Sequence, residues 1–147
     1  MEPLDMTAAP PRSPRVQLGG LCMLARSIDK MRAQFPGGNP GVFVTERGLT
    51  KILLEMLGVT HDQFRDAVAS ARSDDDVVKW LRDNSDPSRY VAINDRLTRW
   101  TLADNPPERW EFIDRLYPNR PAGPRESVNV FDMLDNDDRE MFPTLGK

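Results

Sequence analysis

The sequence predicts an all-α fold: one domain of six to seven short helices, the first of them buried at the centre. Three observations lead there. Apolar residues recur at three- and four-residue spacing in successive segments. Glycine, proline and Ser/Thr/Asp residues fall between those segments at helix-capping positions. Strand-like composition is confined to one short stretch near 42–45.

Met1–Pro11 reads as a disordered N-terminal arm. Ser13 then supplies an N-cap and Pro14 a first helical position, starting a short turn that Gly19-Gly20 interrupts. The first long helix is expected from about Leu21 to Phe35, with Leu21, Leu24, Ile28, Met31 and Phe35 on one stripe. Cys22, Met23 and Ala25 make its first turns apolar on every side, which places that end in the middle of the domain or in a dimer contact. The run Pro36–Gly41 breaks the chain, and Val42–Thr45 follows as an extended packed segment. Helix two runs from about Leu49 to Leu57, with Gly58 as its C-cap. Thr60 and Gln63 form a capping box for helix three, whose face is Phe64, Ala67, Val68 and Ala71. Ser73 or Asp74 caps helix four, where Val77, Val78 and Leu81 point inward and Asp74–Asp76 suit the positive end of the dipole. Helix five is expected over about Ser88 to Leu102, introduced by Asp86-Pro87, and helix six follows Asn105-Pro106 with Trp110, Ile113 and Leu116 on one side. Ser127 caps a last short helix carrying Val130, Phe131 and Leu134, before an acidic tail.

The expected organisation is therefore an arm over 1–11, a helical domain over 12–117, and a linker, short helix and tail over 118–147. With 147 residues the chain buries enough surface to need neither metal nor disulfide. A single cysteine, Cys22, excludes a disulfide framework and a cysteine-rich zinc site. No signal peptide and no membrane-length apolar run are visible, so the expected setting is the cytoplasm, with no membrane partner. Net charge is only −3, but it is unevenly placed. Arg12, Arg15, Arg26, Lys30 and Arg32 form a basic pole, and Asp132, Asp135, Asp137, Asp138 and Glu140 an acidic one.

Three blocks of the basic pole have a familiar pattern: Arg12-Ser13-Pro14-Arg15, Leu18-Gly19-Gly20-Leu21, and Leu24 to Arg32 with its Ala25-Arg26-x-x-Asp29-Lys30-x-Arg32 step. Further on come Leu57-Gly58-Val59 ahead of Asp62 and Phe64, and Ser73-Asp74-Asp75-Asp76-Val77 followed by Lys79-Trp80. These resemble the bacterial family catalogued as domain of unknown function 5069. The resemblance covers roughly Arg12 to Leu102. Its members often have a Trp-Asn step where this chain has Ile93-Asn94. It implies a small helical domain and leaves the activity open.

Two candidate sites emerge. The first is an anion site at Arg12, Arg15, Gly19 and Gly20, where glycines let a ligand approach the main chain beside two guanidinium groups. The competing reading pairs both arginines with acids of the same chain and makes the glycines a sharp turn. The second is a polar cleft of Arg26, Asp29, Lys30, Arg32 and Asn94. Arg26 and Lys30 point away from the apolar stripe, while Arg32 lies at its border with Asp29 at i−3 as a structural partner. His61 reads as a surface residue, and Cys22 as an inert core thiol. The acidic clusters lack the spacing of a calcium loop, so no metal and no cofactor are expected. The basic stretch carries no aromatic residue before Phe35 and net charge is negative, which argues against nucleic acid, and the tryptophans read as core or interface aromatics. The leading expectation is a non-enzymatic binding protein whose partner is a small anion, another protein or a second copy. The alternative is an enzyme acting on a phosphorylated or carboxylated metabolite around Asp29, Lys30 and Arg32.

Overall fold

The computed structural model describes residues 1–143, and within them seven α-helices and no β-strand. These are α1 (Leu24–Ala33), α2 (Leu49–Leu57), α3 (His61–Ser70), α4 (Asp74–Asn84), α5 (Tyr90–Thr98), α6 (Trp110–Leu116) and α7 (Val130–Met141). The all-α expectation holds. Among the described residues no helix is long and apolar enough to cross a membrane. The chain divides into two compact units, Met1–Leu97 and Thr98–Lys147, so the break falls well before the proline-rich stretch at 118–124.

In the first unit α1 packs on α2 and α3, and α3 packs on α4. Leu21 to Ala25 are each at most 1% exposed, so this one chain covers them on every side. The helix nevertheless starts at Leu24 rather than Leu21. The preceding N–H groups are engaged elsewhere: Leu21 donates to Leu18 O, Cys22 to Asn94 Oδ1 and Met23 to Pro14 O. Met23, at the N-cap, has φ 67°, a left-handed conformation that costs a non-glycine residue roughly 1–2 kcal/mol. Its near-complete burial provides the contacts that hold it there.

The short helices follow their local signals. Leu49, Leu53, Leu54 and Leu57 form the buried face of α2, and Gly58 closes it in the left-handed region at φ 73°. Thr60 Oγ1 accepts from the Gln63 N–H while Gln63 Oε1 accepts from the Thr60 N–H, completing the expected box at the start of α3. Ser73 caps α4, which buries Val77 and Leu81. α5 is shorter than expected at both ends. Asp86 and Pro87 start a 3-10 turn over Pro87–Arg89, and the helix stops at Thr98.

Residues 1–11 depart from the expected disordered arm. Met6 is buried, its N–H donates to Asn39 O at 2.7 Å, and Asn39 N–H donates to Leu4 O at 2.9 Å. Backbone pairing with the 36–41 loop orders this stretch, a contact that leaves no mark in local composition.

In the second unit Leu102 N–H donates to Val128 O at 3.1 Å and Val130 N–H donates to Trp100 O at 2.9 Å. That pairing ties the unit's beginning to the segment that leads into its last helix. Asn129, not Ser127, caps α7, its side chain accepting from the Asp132 N–H. Asp132 to Glu140 therefore lie on a helix rather than in a tail. Residues 144–147 of the expected tail lie outside the described residues.

Candidate functional site

The basic stretch folds as two consecutive turns before α1. At the first, Ser13 Oγ accepts from the Arg15 N–H at 3.2 Å and Ser13 O from the Val16 N–H at 3.1 Å. At the second, Leu18 and Leu21 exchange N–H···O bonds across Gly19 and Gly20, whose φ values are 60° and 84°. Positive φ at both central residues is the two-residue turn that glycine makes without strain. Gly19 is also required by packing, because a Cβ there would stand 2.6 Å from Val78 Cγ1. The Gly19 and Gly20 N–H groups donate to nothing among the described residues. Their carbonyls are engaged, Gly19 O by Arg82 Nη2 at 3.4 Å and Gly20 O by Asn94 Nδ2 at 2.8 Å. The Arg82 guanidinium also lies over the Tyr90 ring, 5.6 Å from its centroid.

Arg12 is tied to carboxylates. Its backbone N–H and Nε donate to Asp29 Oδ2 at 2.8 and 3.0 Å, and Nη2 reaches Asp29 Oδ1 at 3.0 Å. On its other edge Nη1 donates to Asp74 Oδ2 at 2.9 Å and Nη2 to Asp74 Oδ1 at 3.2 Å. Burial works against the charge, but hydrogen bonds and attraction from both carboxylates more than offset it and hold the guanidinium above its usual range. The geometry is that of the pairing alternative for Arg12, with Asp29 and Asp74 as partners. Arg15 is solvent-exposed.

One row of α4 organises all of this. Asp74 binds Arg12, Val78 packs on Gly19, and Arg82 meets the Gly19 carbonyl. These residues are four apart, and so lie in line along one helix face.

The cleft residues do not converge. Arg26, Asp29 and Lys30 are 2%, 6% and 6% exposed, so α1 is buried on its charged side as well as its apolar side. Arg26 lies over Phe43 at 5.6 Å, and its Nη1 donates to Arg12 O at 3.4 Å; the 36–48 loop and residues 12–14 cover that face. Asp29 serves Arg12 rather than Arg32, and Arg32 Nε donates to Glu2 O at 2.8 Å. The expected i−3 pair is replaced because the Arg12 fork reaches the buried Asp29 from outside the helix. Asn94 is a clamp, accepting from the Cys22 N–H and donating to the Gly20 carbonyl.

His61 is half-buried, not a plain surface residue. Its Nε2 is 2.8 Å from Thr45 Oγ1, which also accepts from Gln34 Nε2 at 2.9 Å. The three link the 36–48 loop to α1 and α3. Cys22 is 1% exposed and burial pushes its thiol up to about 11, which keeps it protonated near neutrality. No group of three or more His, Cys, Asp and Glu residues is placed to hold a metal among the described residues.

Sequence reasoning did not find Asp74 or Arg82 as members of the site. Asp74 has an adequate local role at the start of α4, which hid its distant one. The signal for Arg82 was its four-residue step from Val78, uninterpretable without knowing that Gly19 docks there.

No curated protein matches the chain. The family profile described as Domain of unknown function (DUF5069) matches residues 8–140, reaching beyond the stretch whose motifs are legible by eye and into the second unit. The chain belongs to that family.

Proposed function

We propose that this protein acts by binding rather than by catalysis, and that it takes a small anion, a phosphate or carboxylate, at the Gly19-Gly20 turn. The observation that carries the reading is the pair of unengaged glycine N–H groups on a turn that the Arg82 guanidinium already touches. Arg15, exposed a few residues earlier, supplies a second cation. Arg12 is a positioning residue in this account: its carboxylate clamp fixes the stretch that leads into the turn.

The enzymatic alternative draws on groups with other duties. Asp29 is held by Arg12, Arg32 by the Glu2 carbonyl, and Asn94 by the Gly20–Cys22 backbone. A cytoplasmic setting is part of the proposal. Association with a second copy is not needed to bury α1, and ultracentrifugation of the same samples reads the oligomeric state.

Calorimetric titration with inorganic phosphate at low ionic strength tests the site. Saturable binding is expected, weakened about tenfold by Arg82→Ala, the loss of roughly one charge-assisted hydrogen bond. Binding indifferent to both Arg82→Ala and Arg15→Ala, or no binding of phosphate, nucleotides or carboxylates, would overturn the reading.

A further inference from the structure

We draw no further inference here: the strongest candidate, the Gln34–Thr45–His61 cluster that joins the 36–48 loop to α1 and α3, shares one buried hydroxyl between two partners, and because the Gln34 amide can turn over to suit either protonation state of the imidazole, nothing in the structure shows a ligand that it takes or a motion that it controls.

Discussion

Arg12 lies between two carboxylates that reach it from different parts of the chain, Asp29 on α1 and Asp74 on α4. Its side chain is 35% exposed but that of Asp29 only 8%, so the arginine's main effect is to neutralise a nearly buried acid. Arg12→Ala should destabilise the protein by about 3 kcal/mol in chemical denaturation, the cost of stranding such a charge. Arg12→Lys should recover only part of that, because one ammonium cannot serve two carboxylates as a planar fork does. A change below about 0.5 kcal/mol in the alanine variant, the level of an ordinary surface substitution, would show that the pair is inconsequential. The sequence left pairing and ligand binding both open for this arginine, since Asp74 is 62 residues away and no spacing rule spans that distance. The burial of Arg26 and Lys30 was hidden for a related reason. Helical phase placed them away from the apolar stripe, correctly, but phase does not say what other segment covers that side.

Elements were legible where their limits are set by neighbours in sequence. α2 begins and ends where its apolar spacing and Gly58 place it, and Thr60 and Gln63 open α3 as expected. Limits moved where the backbone had another partner or conformation: the Gly20 and Leu21 carbonyls accept from Asn94 Nδ2 and the Leu18 N–H, and Met23 is left-handed, so α1 starts late. The Gly19-Gly20 turn was visible as a turn, but its docking on Val78 was not. Gly19→Ala should therefore cost more than conformational strain alone, with a clash added to a positive φ. A loss of about 2–4 kcal/mol is expected, the sum of roughly 1–2 for a left-handed alanine and of overpacking. Adding Val78→Ala should relieve the clash but not the strain, so the double variant should lose less than the two single losses summed. Additive losses would show that Gly19 and Val78 do not meet.

Over the whole molecule, the hydrophobic set of the first unit closes around Leu21 to Ala25 and seals Cys22 with them. Alkylation of Cys22 should therefore report opening of that unit. Iodoacetamide at neutral pH is expected to react at least ~100-fold more slowly with native than with denatured protein, with a denaturant dependence that follows unfolding. Rapid native labelling would contradict the buried position. The sign of the pH effect follows from the same burial: a thiol raised from 9.0 to about 11 favours the folded state below 9.0, and that contribution fades as pH climbs between the two values. By itself the sequence determined the helical class, most caps and the glycine turn, because turns, caps and amphipathic faces depend on residues within a few positions of one another. Its motifs also carried the family resemblance. Only the tertiary structure decided that Met1–Pro11 pairs with a loop, that Asp29 and Asp74 share Arg12, and that one row of α4 gathers the basic stretch. Those outcomes depend on which distant surfaces meet, and the free energy of such a meeting comes from contacts and desolvation that no local pattern records.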